Sequence, residues 1–328
     1  MSFQLPQSFD LARLPTPIEK LENTTQLFEG ADIYIKRDDF TGLATTGNKI
    51  RKLEFLLYEA VERNCDCVIT CGGVQSNHAR ATAVAAAKLG LKRYLILRNG
   101  MGTALEGNLF LDRLVGAEIE YISHEEYSEV DEIMHTKAKM LSDRGETAYI
   151  IPEGGSNEVG SWGYVKAAKE IDEQLKNMQI KIHHIVIPVG SGGTYAGLLI
   201  GKYLYDLPAL IHGINVCENQ TYFVKKIDML LKAMKRRYDL QLPIRTSDIR
   251  IIDGYVGKGY GLSSQVELDL IKQVAQTEGI ILDPVYASKA FLGMKDQIRK
   301  GKFKTGENVL FIHTGGIFGL FQKKELFF

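Results

Sequence analysis

Thr46-Gly47-Asn48-Lys49-Ile50-Arg51-Lys52-Leu53 is the stretch from which the fold and the chemistry of this chain are best worked out. Its Gly-Asn pair tolerates positive φ, and the apolar spacing that follows predicts a helix over 49–63. Lys49 therefore stands at a turn from loop to helix, where its side chain can point into a cleft. A lysine buried there can lose its proton, and a neutral amine forms Schiff bases with carbonyl groups. Arg51 and Lys52 are predicted to cover the helix surface.

Short β-branched runs alternate with amphipathic helical patterns through the rest of the chain. Such alternation predicts an α/β fold with mostly parallel sheet. Strands are predicted at 33–36, 67–70, 94–97, 118–122, 148–151, 185–189, 210–216, 249–252 and 309–313. Helices are predicted at 49–63, 77–89, 105–115, 127–144, 160–177, 194–205, 222–238, 264–277, 288–300 and 318–326.

Two domains are expected, although no linker rich in Pro, Gly or Ser marks a boundary between them. The division must then pass through the chain more than once. We expect residues 52–165 to form a small domain, and residues 1–51 to join residues 166–328 in a large domain.

Composition excludes several classes of protein. The 40 basic and 40 acidic residues balance, so no electrostatic footprint for nucleic acid or an anionic membrane is present. We find neither a signal peptide nor an apolar run of the ~20 residues that a membrane span needs. The four cysteines lack metal-ligand spacing. We therefore expect no metal site, and reduced thiols in a cytoplasmic protein.

A predicted strand, a glycine-rich turn and a predicted helix follow one another in Val186-Ile-Pro-Val-Gly190-Ser191-Gly192-Gly193-Thr194. Backbone N–H groups at a helix N-terminus bind phosphate, and glycines leave them unobstructed. The pattern matches neither a nucleoside-triphosphate loop nor a dinucleotide fingerprint, so a small monophosphate fits best. The alternative is a tight turn that needs glycine only for its shape.

Three further segments place polar groups where an apolar run meets a helix start. In Cys71-Gly-Gly-Val-Gln-Ser76-Asn77-His78, Ser76 or Asn77 would cap the helix, whose free N–H groups suit a carboxylate. Plain capping is the alternative. The other two are Ile281-Leu-Asp-Pro-Val-Tyr286 and Phe311-Ile-His313-Thr-Gly-Gly316. Tyr286 is either functional or simply buried, and we interpret His313 as a core histidine.

Seven ordered motifs together resemble the family of 1-aminocyclopropane-1-carboxylate deaminases and D-cysteine desulfhydrases, from about residue 14 to the C-terminus. The resemblance implies an α/β fold with two open, twisted, mostly parallel sheets and flanking helices, which is pyridoxal-phosphate fold type II. It also implies a homodimer with pyridoxal 5′-phosphate between a large and a small domain. The motifs are Lys36-Arg-Asp-Asp39, Gly47-Asn-Lys49-Ile-Arg-Lys-Leu53, Gly72-Gly-Val-Gln-Ser-Asn77, Gly190-Ser-Gly-Gly-Thr194, Gly259-Tyr-Gly261, Leu282-Asp-Pro-Val-Tyr286 and His313-Thr-Gly-Gly316.

The resemblance also implies roles for individual residues. Lys49 would hold the cofactor covalently, Asn77 would bond its 3′ oxygen, and Thr314 would lie near the pyridine nitrogen. Catalytic roles would fall to Lys49, Ser76, Tyr260 and Tyr286, and substrate contacts to Ser76, Asn77, His78, Tyr260 and Tyr286. The phosphate would be bound by Gly190, Ser191, Gly192, Gly193 and Thr194.

Two positions depart from the deaminases of this family. Those enzymes have glutamate where this chain has Ala287 and leucine where it has Thr314; desulfhydrases share the threonine at 314 but usually have threonine at 287. Thr46 stands where glycine is common. Without a carboxylate near the pyridine nitrogen, the cofactor would be a weaker electron sink, which suits a substrate with a good β-leaving group.

The expected activity is therefore a lyase reaction, an α,β-elimination from a small amino acid. D-cysteine is the leading substrate, with pyruvate, ammonia and sulfide as products. The alternatives are 1-aminocyclopropane-1-carboxylate deamination and elimination from another β-substituted acid such as cysteate. A silent phosphate-ligand binder is disfavoured by Lys49, Ser76 and Tyr286. A nicotinamide dehydrogenase is disfavoured by the missing GxGxxG.

Overall fold

The computed structural model describes residues 4–98 and 103–328, which form two sheets and the helices around them. The strands are β1 Ile18–Lys20, β2 Asp32–Lys36, β3 Cys67–Gly73, β4 Lys92–Arg98, β5 Glu118–Ile122, β6 Ala148–Ile150, β7 His184–Val189, β8 Leu210–Asn215, β9 Ile251–Ile252 and β10 Asn308–Ile312. The helices are α1 Glu22–Phe28, α2 Lys49–Glu62, α3 Asn77–Lys88, α4 Gly107–Leu114, α5 Val130–Ser142, α6 Trp162–Met178, α7 Gly193–Leu204, α8 Gln220–Arg237, α9 Gln265–Glu278, α10 Ala287–Arg299 and α11 Phe318–Phe321.

Parallel pairing dominates both sheets. The larger sheet has the order β1-β2-β10-β7-β8-β9, and only the short edge pair β1–β2 is antiparallel. The smaller sheet has the order β5-β4-β3-β6 and is parallel throughout. These pairings confirm the predicted α/β class with two mostly parallel sheets. The domain boundaries at residues 51/52 and 165/166 stay a prediction.

The strands β2, β10, β7 and β8 of the larger sheet each contribute to two separate cores, because successive side chains point to opposite faces. In β10, Val309 and Phe311 pack with residues of α1, α9 and α10, whereas Leu310 and Ile312 pack with residues of α6, α7 and α8. Burial of both faces explains why the sequence of this strand is a continuous apolar run.

Two short elements are missing from the sequence prediction, and others differ in extent. β1 and α1 have only three and seven residues, which is too short for a periodic pattern to mark them. The helix predicted over 318–326 is wrong in extent: α11 ends at Phe321, and a 3-10 turn at Lys324–Leu326 follows.

Glycines let α6 and α7 approach closely, and this contact fixes the start of α7. A Cβ at position 197 would lie 2.1 Å from the carbonyl oxygen of Ser161, and one at position 201 would lie 2.4 Å from the Cβ of Ala168. Larger residues would push the helices apart, so this packing positions the turn at residues 190–193 from which α7 begins.

The turn before α2 depends on two glycines with positive φ, at 107° in Gly47 and 78° in Gly315. A Cβ on Gly47 would lie 2.6 Å from the carbonyl oxygen of Thr314, which accepts a hydrogen bond from Asn48 N (3.2 Å). The loop before Lys49 is thereby held against the end of β10.

The prediction that Arg51 and Lys52 cover the helix surface is wrong, since each is about 1% exposed. Arg51 donates to both carboxylate oxygens of Asp38 (2.7 and 2.9 Å) and to Glu170 (2.8 Å). Burial raises the pKa of Asp38, but Arg51 more than offsets this and leaves it below its usual value. The buried ion network anchors the first turn of α2.

Candidate active site

A cleft of about 890 Å³ opens where strands of both sheets end. Its walls come from the loops after β3, β6, β7, β8 and β10, and from the first turn of α2. Open parallel sheets bind ligands at this carboxyl edge. The cleft brings together all the site residues predicted from the sequence except Gly193, which lies directly behind its wall at the start of α7.

The amine of Lys49 lies on the cleft floor between two loops. A Cβ built on Gly154 would be 3.2 Å from Lys49 Nζ and 2.5 Å from Ser191 Oγ, so only glycine leaves room beside the amine. Burial lowers the pKa of Lys49 to about 8, while the negative charge of Glu153 acts in the opposite direction. Roughly a tenth of Lys49 is therefore a neutral nucleophile at pH 7, far more than of an ordinary lysine.

The turn from Gly190 to Thr194, called the cradle below, has a geometry that suits an anion. Gly192 has φ 89°, and α7 begins after it without a capping side chain from this residue. Gly193 N donates to Ser156 Oγ (3.3 Å), and within the described residues the other N–H groups of this first turn are left for a ligand. Thr194 Oγ1 accepts a hydrogen bond from Asn48 Nδ2 (3.1 Å), which ties the cradle to the turn before Lys49. Ser191 Oγ shares a hydrogen bond with Ser156 Oγ (2.7 Å).

Lys52 places a buried amine directly behind this cradle. A Cβ on Gly193 would lie 2.9 Å from Lys52 Nζ, and the amine donates to Gly154 O (3.1 Å) and Ser156 Oγ (2.9 Å). Burial, reinforced by the charges of Lys49 and Lys226, lowers the pKa of Lys52 well below its usual value. Within the described residues no carboxylate pairs with this amine, so a bound dianion would favour its charged form.

The loop after β3 presents Ser76 and Asn77 at the start of α3. Ser76 Oγ caps the helix by accepting from Ala79 N (3.1 Å). Asn108 Nδ2 donates to Asn77 Oδ1 (3.1 Å), which leaves the Asn77 amide N–H groups as donors. Arg80 holds Asn108 in turn and donates to the carbonyl oxygen of Thr46, so the loops before α2 and α3 are linked.

Two tyrosines meet above the cradle. The hydroxyls of Tyr260 and Tyr286 are 2.5 Å apart, and a Cβ on Gly190 would lie 2.8 Å from the ring of Tyr286. Burial raises the pKa of Tyr260 to about 12, and burial raises the pKa of Tyr286 well above its usual value, so both stay protonated and can donate. Asp283 does not compete for them, because its oxygens accept from the backbone of residues 285–287.

The remaining predicted residues differ in how they face the cleft. His78 is buried, and its Nε2 lies 2.8 Å from Thr70 Oγ1. Thr314 lines the cleft with its side chain 93% buried. His313 is 1% exposed and bonds through its ring nitrogens to Ile281 O (3.0 Å) and Gly315 N (3.1 Å), which agrees with its interpretation as a core histidine.

Sequence reasoning missed Lys52 and the loop Glu153-Gly154-Gly155-Ser156. The loop could have been found, because it follows strand β6 with two glycines and polar residues, as the recognised loops do. Lys52 could not, because its neighbour Ser156 is 104 residues away in sequence.

The described ranges 4–98 and 103–328 contain no cluster of His, Cys, Asp and Glu placed to hold a metal ion. None of the helices in those ranges is long and apolar enough to cross a membrane.

The chain is similar to several known proteins. A family model described as "Pyridoxal-phosphate dependent enzyme" matches residues 9–315. A protein of Arabidopsis thaliana, named as bifunctional D-cysteine desulfhydrase/1-aminocyclopropane-1-carboxylate deaminase, mitochondrial, is 45% identical over 97% of this chain and 80% of its own length. A putative 1-aminocyclopropane-1-carboxylate deaminase of Thermotoga maritima is 47% identical over 96% of this chain and 98% of its own length.

A solved structure supports the same assignment. The crystal structure of an "ACC deaminase homologue" superposes with a TM-score of 0.91 at 40% identity, covering 99% of this chain and 96% of that one. The predicted resemblance and the predicted type II fold are thereby confirmed.

Proposed function

Because the chain belongs to the family of pyridoxal-phosphate-dependent enzymes, we propose that it is a lyase that converts D-cysteine to pyruvate, ammonia and sulfide. The observation that carries this choice is the absence of an available carboxylate at position 287 beside the cleft. The competing candidate is 1-aminocyclopropane-1-carboxylate deamination, which the name of the Thermotoga relative gives, whereas the Arabidopsis relative is named for both activities.

The cleft fits pyridoxal phosphate. The cradle at residues 190–194 has backbone donors and a buried amine, Lys52, suited to a phosphate monoester. Lys49 supplies an amine of lowered pKa beside it, and Asn77 keeps its amide donors free for a ring oxygen. When bound, the cofactor supplies an electron sink for charge developing at the substrate Cα.

Substrate positioning would fall to the start of α3. The N–H groups there, with the helix dipole and the Ser76 hydroxyl, suit the substrate carboxylate. Lys49 Nζ, once free, would take the Cα proton, because an amine of pKa about 8 is a competent base near neutral pH. The Tyr260–Tyr286 pair would then donate a proton to the departing β-substituent.

Position 287 separates the two candidate reactions. Ala287 is fully buried, and the neighbouring Asp283 carboxylate is occupied by three backbone N–H groups. By the resemblance, only the Thr314 hydroxyl would then meet the pyridine nitrogen. A carboxylate there would keep that nitrogen protonated and strengthen the sink. The cyclopropane acid has no Cα proton and no stable leaving anion. Its deamination would therefore be slowed more than elimination from D-cysteine by the lack of this carboxylate.

Substrate choice is tested by measuring 2-oxo acids from D-cysteine and from the cyclopropane acid. We expect pyruvate from D-cysteine and almost no 2-oxobutyrate from the cyclopropane acid. The double change Ala287→Glu with Thr314→Leu should shift the ratio toward 2-oxobutyrate, and each single change serves as its control. A native protein that prefers the cyclopropane acid would overturn the proposal, whatever the double variant does.

Cofactor binding is tested at Gly192, whose backbone would face the phosphate. Gly192→Asp puts a negative charge in the cradle, and the loss of charge-assisted bonds should weaken pyridoxal-phosphate binding by about 10- to 100-fold. Gly192→Asn has nearly the same shape and tolerates the same φ, so it controls for the backbone. Affinity is measured by titration of the apo-protein. Equal affinities for the Asp and Asn variants would show that the cradle binds no phosphate.

We further propose a homodimer located in the cytoplasm. The dimer rests on the family resemblance and is measured by light scattering coupled to size-exclusion chromatography. The location rests on the four free cysteines. Burial raises the pKa of Cys67 and of Cys71 to about 12, so these thiols stay protonated and react slowly.

A further inference from the structure

Arg98 occupies the cleft edge next to the loop that presents Ser76 and Asn77. It is the last residue of β4, where it stands beside Gly73 of β3 on one side and Ile122 of β5 on the other. The loop containing Ser76 begins at Gly73, so the two positions are neighbours along the carboxyl edge of the small sheet. Arg98 lines the same cleft as Lys49.

Among residues 4–98 and 103–328, the contacts of the Arg98 guanidinium are with aromatic rings. Its carbon lies 4.4 Å from the ring centre of Tyr127 and 5.1 Å from that of Tyr260. Tyr127 comes from the small-sheet side of the cleft, and Tyr260 is the partner of Tyr286. Cation–π contacts of this kind fix a guanidinium without using its N–H donors.

Those N–H donors have no acceptor in the part of the chain that the structure describes. The side-chain hydrogen bonds and ion pairs of residues 4–98 and 103–328 include none from the guanidinium of Arg98. The nearby carboxylate of Glu153 instead accepts from the hydroxyl of Tyr127 (2.7 Å). A half-buried cation whose donors are unused, inside a ligand cleft, is a site for an anion.

We propose that Arg98 forms a subsite for a negatively charged group on the β-carbon of the substrate. This inference rests on the proposed function, in which the start of α3 takes the α-carboxylate of an amino acid. The substrate class is then an amino acid whose β-substituent is an anion, such as a carboxylate or sulfonate, or leaves as one, as hydrosulfide does. Arg98 stabilises that charge, and the rings of Tyr127 and Tyr260 hold the guanidinium in place.

The test compares two ligands of nearly identical shape, racemic aspartate and racemic asparagine, which differ in the charge of the β-substituent. Their binding to the holoenzyme is measured by calorimetry, and racemates remove any dependence on configuration. We expect the native protein to prefer aspartate by about 10- to 100-fold. Arg98→Met, which keeps an unbranched apolar stem but removes the guanidinium, should abolish this preference and leave asparagine binding unchanged, whereas Arg98→Lys should retain part of it.

Equal binding of aspartate and asparagine to the native protein would refute the subsite, and so would an Arg98→Met protein that keeps the preference. Each variant is first checked for its cofactor absorbance, which Arg98 does not affect in this account. The outcome is independent of the D-cysteine assay, because calorimetry needs no turnover. A protein inactive on D-cysteine with an intact aspartate preference would refute the proposed reaction but not the anion subsite.

Discussion

Replacing Lys49 by alanine should lower pyruvate formation from D-cysteine by about 10⁴-fold or more, which is the upper range for loss of a proton-transfer group. The reason is that Lys49 would act both as the covalent anchor of the cofactor and as the base that takes the Cα proton. Its position fits both tasks, since burial lowers its pKa to about 8 and glycine at 154 leaves space beside its amine.

The Lys49→Arg variant distinguishes the roles of Lys49 as covalent anchor and base from a role of its positive charge alone. Arginine keeps a cation at the position but stays protonated and cannot link to an aldehyde. Both variants should therefore be inactive at saturating pyridoxal phosphate, while Lys232→Ala, which removes an exposed lysine of α8, should behave as the native protein. Substantial turnover by Lys49→Arg would mean that the residue supplies only positive charge.

Ser76→Ala and Tyr286→Phe should each retain the visible absorbance of the bound cofactor yet lose about 10²- to 10⁴-fold in turnover. Ser76 caps α3 at the proposed carboxylate site, and the hydroxyl of Tyr286 is bonded to that of Tyr260. Absorbance and the pyruvate assay are measured on the same preparations.

Matched variants control for the structural roles of these residues. Ser264→Ala removes the cap of α9, and Tyr203→Phe removes a hydroxyl that donates to Asp248. Neither residue lines the cleft. Loss of a helix cap costs about 1 kcal/mol of stability, so Ser76→Ala and Ser264→Ala should melt similarly. If turnover also falls equally in both, Ser76 serves only as a cap.

The class of fold could be predicted because each long element has its own local pattern. Strand β10 is a continuous apolar run because both of its faces are buried, and α2 begins at Lys49 as its apolar spacing predicted. β1 could not be predicted, because three residues make no pattern and its pairing with β2 decides its structure.

The predicted exposure of a charged residue was wrong where its ion-pair partner lies far away in sequence. Arg51 looks like a surface residue until Glu170, 119 residues further on, is seen to pair with it. The candidate site shows the same limit. Each glycine-rich loop was recognisable alone, but contacts such as Asn48 with Thr194, 146 residues apart, arise only from the fold. The aromatic contacts of Arg98, and the lack of an acceptor for its guanidinium among residues 4–98 and 103–328, could be seen only in the structure.

The central claim, that Lys49 holds the cofactor in this cleft, is tested most directly by borohydride reduction of the holoenzyme followed by peptide mapping. Reduction makes the covalent link permanent, so the modified lysine can be read by mass spectrometry. The account predicts one modified peptide, with the pyridoxyl group on Lys49 at the start of α2. Modification of Lys52 or Lys289 in place of Lys49 would contradict it.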